Sequence, residues 1–164
     1  MNLDVALVRV DNRLVHGQIL EAWIPYTKAS CIAVVDDNVA NDVFNETVIR
    51  MAVPRDIELI VSSVEDFAAN YSYRRDKRSN TIVIFSSIGH AFRAFKLGFR
   101  FDELNIGNCC AEVCAKHCTT SVTLSDEDIH DIGILLEEGV KVELRRIPRD
   151  KPIDARKIMP AIIS

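Results

Sequence analysis

Short β-branched runs alternate along this chain with longer stretches whose apolar residues recur at helical spacing, and that rhythm restricts the fold most. Residues 3–10 form an apolar run that reads as a buried strand, and 19–23 open the first helix. Residues 31–35 are a second strand, stopped by the turn and cap chemistry of Asp36, Asp37 and Asn38. A helix is predicted over 39–53, from Val43, Phe44, Thr47, Val48 and Met51, with Pro54 ending it. Strands follow at 57–61 and 81–85, separated by a short helix over 64–71 that Ser63 caps and by a polar loop, 72–80. The remaining pattern is a helix over 88–97 closed by Gly98, short strands at 104–106 and 122–124, and a helix from Ser125 to about 138. Gly139 is a natural C-cap for it, and 140–147 closes the pattern as a last strand before Pro148. Strand and helix in this order predict βαβ units: an α/β domain with a mostly parallel central sheet and helices on both faces.

At 164 residues and 48% apolar composition, one domain spanning 1–164 has enough chain for a sizeable core. The net charge of −4 and the lack of a basic stripe argue against a nucleic-acid partner. The densest basic patch, Arg74-Arg75-Asp76-Lys77-Arg78, reads as a solvated loop; a docking patch for an acidic partner is the livelier reading. No apolar stretch reaches the roughly 18 residues that span a bilayer, and the N-terminus enters a strand without signal-peptide organisation. The expectation is a cytoplasmic protein, whose five cysteines, an odd number, stay reduced.

The chemistry concentrates where the first strand turns into the first helix. Such a loop opens at the carboxyl end of the sheet, where α/β folds bind ligands. A helix N-terminus there favours an anion. His16 sits in that loop, with Arg13 three residues before it and Gly17 directly after. A neutral imidazole offers a nucleophilic nitrogen near neutral pH. Arg13 supplies a planar cation suited to phosphate oxygens, and Gly17 lets a ligand approach the backbone. Read by residue chemistry alone, a structural histidine that caps the helix stays open beside a phosphoryl acceptor.

The loop Arg9-Val10-Asp11-Asn12-Arg13-Leu14-Val15-His16-Gly17-Gln18 resembles the active-site signature of the IIB component in the mannose/fructose/sorbose family of the bacterial sugar phosphotransferase system. Further likeness lies in Val34-Val35-Asp36-Asp37-Asn38-Val39-Ala40, Leu104-Asn105-Ile106-Gly107, Ser125-Asp126-Glu127-Asp128 and Glu138-Gly139-Val140-Lys141-Val142, in the family's order and spacing. The first motif is highly specific and the others weak singly; together they cover about residues 2 to 160. The resemblance implies a protein-phosphohistidine–sugar phosphotransferase. His16 would take phosphate on Nδ1 from a IIA component and pass it to a sugar carried by the membrane components IIC and IID. Arg13 would lie beside the phosphohistidine, Asn12 and Gly17 would give backbone donors to the phosphate, and Asp11 would organise the loop. No metal, nucleotide or other cofactor is implied. Any contact with the inner face of the membrane would run through IIC and IID, and the sequence leaves a homodimer open.

Secondary candidates come from neighbouring strand ends. Asp36 and Asp37 either orient Arg13 or His16 or cap the next helix. Ser86 and Ser87 either reach the phosphate or cap the helix that follows. Gln18 begins the first helix and fixes the loop. His90 and His130 read as ordinary surface or core residues, and Trp23 either packs on the sheet or rims the surface near His16.

Two other functions compete. A regulatory module of the same fold would take phosphate on His16 as a signal of carbon supply, without transport. A metal or redox module would use Cys109, Cys110, Cys114, His117 and Cys118, a segment that departs from the family's wording. Its spacing matches no common zinc hook, so incidental thiols and no bound metal are the expectation.

Overall fold

The computed structural model describes residues 1–76, 78, 80–111 and 116–163. The strands are β1 (Asn2–Asp11), β2 (Cys31–Val35), β3 (Glu58–Ser62), β4 (Ser72–Arg74), β5 (Thr81–Phe85), β6 (Glu103–Asn108), β7 (Lys116–His117), β8 (Thr123–Leu124), β9 (Lys141–Leu144) and β10 (Ile153–Asp154). The helices are α1 (Ile24–Thr27), which continues a π-helical stretch over Ile19–Trp23, α2 (Asp37–Ala40), α3 (Val43–Ala52), α4 (Val64–Asn70), α5 (Ile88–Lys96), α6 (Asp126–Glu137) and α7 (Ala155–Ile163).

The main sheet runs β10-β9-β6-β1-β5-β2-β3, with β4 beside the start of β1. Every pairing in it is parallel except β10 against β9. Side-chain alternation explains why both faces must be covered. Ile32, Val34, Ile82 and Ile84 join one apolar cluster with Leu14, Ile19 and Trp23, while Ala33, Val35, Val83 and Phe85 join the other with Phe67, Ile88 and Leu135. Strands that are apolar at every position cannot leave either face wet. The result is the expected α/β domain, with β1 at the centre and Asp11 at its carboxyl end.

Several boundaries differ from the sequence reading. The helix expected over 39–53 is two, because Asp42 accepts from the N–H groups of Phe44 and Asn45 and starts α3 afresh. Its apolar stripe also faces outward: Phe44 is 75% and Met51 82% exposed. The polar loop 72–80 contains β4, which pairs with the first residues of β1. The strand at 122–124 shrinks to β8 and pairs antiparallel with β7 outside the main sheet. The last strand ends at Leu144 instead of 147, and β10 and α7 follow it. Among the described residues, no helix is long and apolar enough to cross a membrane.

Candidate active site: the loop after the first strand

The site grows from two charges inside the central strand. Arg9 and Asp11 are two residues apart, so they share one face of β1, and both side chains are fully buried. A buried guanidinium is tolerable only if its donors are met. Arg9 Nη2 and Nε donate to Asp11 Oδ2 at 3.2 and 3.4 Å. Nη1 reaches Asn105 Oδ1 at 2.5 Å and the Arg145 carbonyl at 2.9 Å, and Nη2 also reaches the Arg146 carbonyl at 2.9 Å. The Trp23 ring lies 5.1 Å from the guanidinium carbon, and its Nε1 donates to the same Arg146 carbonyl. Gly107 completes the seat, since a Cβ there would overlap the guanidinium. Burial draws the Arg9 pKa down to about 10, against the pull of Asp11, so the group stays charged at neutral pH.

Asp11 gathers the rest of the loop. Its Oδ1 accepts from the Arg13 backbone N–H at 3.1 Å and from Arg13 Nε at 3.2 Å. Its Oδ2 lies 2.8 Å from His16 Nε2. Burial pushes the Asp11 carboxyl up, but the hydrogen bonds from His16 and Arg13 and the charge of Arg9 outweigh it and hold the pKa below the usual value. An ionised carboxylate only accepts hydrogen bonds, so Nε2 carries the hydrogen and Nδ1 is the bare nitrogen of the neutral ring. The His16 carbonyl accepts from the N–H groups of Ile19 and Leu20, which makes His16 the residue that starts the helix. The imidazole is 17% exposed: fixed from behind, reachable from in front.

The turn into this arrangement costs strain. Leu14 has φ of +58°, a left-handed conformation that costs a branched residue about 1–2 kcal/mol. Burying its side chain beside Ile19 and Val39 offsets that. Gln18 Oε1 accepts from Arg13 Nη2 at 3.0 Å. Arg13 Nη1 has no partner among the described residues, and its side chain is 41% exposed. Around Gly17 a Cβ would meet no atom within 4 Å, so the space above the helix start is open.

Asp11, Arg13, His16 and Gly17 thus come together. Asn12 departs from its expected part: its N–H donates to the Asn108 carbonyl at 3.1 Å, and its side chain bonds that of Asn108. It ties β1 to β6 and has no backbone hydrogen left for a phosphate. Asp36 is buried and caps α2 through the Val39 N–H at 2.8 Å. Ser86 Oγ bonds His90 Nδ1 at 2.9 Å, while Ser87 caps α5. Asp36 and Ser86 therefore belong to a second cluster around His90, with Asp37 and Arg93, at the ends of β2 and β5. Sequence reading missed Arg9, Asn105 and Gly107. An arginine two residues from an aspartate inside an apolar strand was the available signal for the first. The described residues of the cysteine segment give no comparable geometry. Cys109 is buried, and burial drives its thiol up to about 12. No group of three potential ligands gathers among the described residues, outside which Cys114 lies.

The fold and this loop define a class, and comparison with known proteins agrees. Residues 5–162 match the family described as PTS system sorbose subfamily IIB component. The fructose-specific EIIB component of Bacillus subtilis (strain 168) is 29% identical over 157 residues, covering 96% of each chain. The mannose-specific EIIAB component of Escherichia coli (strain K12) is 23% identical over 158 residues, which are 96% of this chain and 49% of that one. The crystal structure of the IIBSor domain of the Klebsiella pneumoniae sorbose permease superposes with a TM-score of 0.83 at 26% identity, covering 98% of this chain and 97% of that one. The chain belongs to the sorbose-subfamily IIB components of the sugar phosphotransferase system.

Proposed function

We propose that this protein carries phosphate on His16 Nδ1, accepting it from a IIA component and delivering it to a sugar presented by IIC and IID membrane components. One observation carries the reading: His16 Nε2 lies 2.8 Å from Asp11 Oδ2, so Nε2–H donates to the carboxylate and Nδ1 is left beside Arg13 and an open helix start. In the first step a P–N bond on the donor breaks and a P–N bond at Nδ1 forms, with the hydrogen kept on Nε2 by Asp11. In the second the Nδ1–P bond breaks with its electron pair returning to Nδ1, a P–O bond to a sugar hydroxyl forms, and the hydroxyl proton passes to solvent. Neither step needs the protein to do more than align the phosphoryl group and balance its charge, the work that dominates phosphoryl transfer. Arg13 Nη1 and the N–H groups at the start of the helix supply that charge balance.

Partners follow from the family. A protein that fuses A and B components, as the mannose-specific EIIAB name describes, fits a IIA donor acting directly on this chain. The test is incubation with phosphoenolpyruvate, the general phosphotransferase proteins and a IIA component. An acid-labile phosphate should appear on the wild type and be absent from a folded His16→Ala variant. Undiminished uptake by that variant would refute the assignment.

A further inference from the structure

The chain is acidic overall, yet residues 145–157 hold six Lys/Arg against two Asp. This segment leaves β9 at the carboxyl end of the sheet, and with the turn between β7 and β8 it encloses a cavity of about 290 Å3. That is just under the ~300–1,000 Å3 typical of small-ligand pockets. The wall is built, because Arg9 fixes two of its carbonyls, those of Arg145 and Arg146, at 2.9 Å each. Arg145 braces it from the side, donating to the Asp150 carbonyl at 3.0 Å and to the Pro148 carbonyl, with its guanidinium carbon 5.8 Å from the centres of the Trp23 and Tyr26 rings.

Val122, Leu144 and Ile153 give the lining an apolar side, and the remaining residues are polar. Thr119, Thr120 and Ser121 bring three consecutive hydroxyls, and Arg146 and Lys151 bring two cations. Lys151 has no ion pair or hydrogen bond among the described residues. Arg146 is half exposed and spends only Nε, on Asp150 Oδ2 at 3.3 Å. Asp150 is the single carboxylate of the lining, too few to hold a divalent cation. No described lining residue is aromatic, so nothing there would stack on a nucleobase. Two cations suit a dianionic phosphate. Hydroxyls and one carboxylate suit the hydroxyl groups of a polyol.

We propose that this pocket is a binding site for a small phosphomonoester, with phosphate at Arg146 and Lys151 and any polyol portion along Thr119–Ser121 and Asp150. It is separate from the His16 loop and does not depend on the phosphocarrier role proposed for that residue. It shares the Arg9 scaffold and Trp23 with it.

The full chain, 15N-labelled, is titrated with glucose 6-phosphate, inorganic phosphate and glucose, and amide shifts are followed. Saturable shifts at Thr119–Ser121 and around Arg146–Lys151 are expected with glucose 6-phosphate. Affinity should fall at least about tenfold in a folded Arg146→Gln/Lys151→Gln variant, as expected for lost charged hydrogen bonds. Glucose alone should give no such shifts. Inorganic phosphate binding as tightly as glucose 6-phosphate would support the site with free phosphate as its source; weaker binding would support a phosphorylated sugar. No saturable shift up to on the order of 10 mM ligand would overturn the proposal. So would equal binding of glucose, unchanged affinity in the double variant, or shifts confined to 13–17 that an Arg13→Gln variant removes.

Discussion

Two histidines stand at the carboxyl edge of the same sheet, one near a single carboxylate and an arginine and the other near two carboxylates and an arginine, and their surroundings give them different chemistry. His16 makes one short contact, Nε2 to a fully buried Asp11 at 2.8 Å. His90 is held on both sides: Nδ1 meets Ser86 Oγ at 2.9 Å and lies 3.7 Å from Asp36, while Nε2 lies 3.8 Å from Asp37. Asp37 in turn bonds Arg93 and the Val64 N–H, and Asp36 caps α2. A nucleophilic ring needs one nitrogen fixed and the other bare. The first cluster supplies that, and the second uses its polar groups on each other and on helix starts.

The sharpest way to break this contrast is to remove the carboxylate that fixes His16. Asp11→Asn leaves the buried Arg9 charge uncompensated, and such changes cost about 3–5 kcal/mol. Denaturant unfolding should register that loss, and phosphate uptake should fall with it. The wild type should also be acid-sensitive with a definite sign. Asp11 is held below its ordinary pKa when folded, so its stabilisation is present above the unfolded value of about 3.9 and is lost as pH drops through the folded value. Asp11→Asn should flatten that part of the stability profile; an unchanged slope below pH 4 would show that Asp11 is not the group responsible.

Gly107→Ala tests the same cluster from beneath. The added methyl must displace the Arg9 guanidinium, and overpacking typically costs about 1–3 kcal/mol. A melting temperature equal to the wild type's would mean that Arg9 is not seated as described. Arg13→Lys should leave stability nearly unchanged and slow transfer about tenfold, because lysine keeps the charge and loses the planar fork. Rapid-quench rates equal in both directions would reduce Arg13 to a structural part. His90→Gln should have the smallest effect on labelling, within about twofold, since His90 faces Ser86 and two carboxylates instead of the open helix start. A large drop in labelling with the fold intact would erase the distinction between the clusters.

The sheet was legible because β2 and β5 are apolar at nearly every position, which a doubly covered parallel sheet accommodates. The active loop was legible because its residues are contiguous, 9 to 18, and their wording is specific. What escaped lies far along the chain or in the backbone. Asn105 and the carbonyls of Arg145 and Arg146 hold Arg9 from 96 to 137 residues away, and a carbonyl has no sequence signature. The Asn12 N–H reads as a free donor in the sequence because its partner, the Asn108 carbonyl, arrives only with the non-local pairing of β6 beside β1. On α3 the helical period was present while its apolar face lay outward, since spacing reports a stripe and not which side the sheet is on.

The central claim concerns a single nitrogen. The most direct measurement is NMR of the phosphorylated protein with 15N-labelled histidine, reading which ring nitrogen of His16 bears phosphorus and which bears hydrogen. Phosphorus on Nδ1 with the hydrogen retained on Nε2 is the predicted result. Phosphorus on Nε2, or on a ring of His90, would contradict the account.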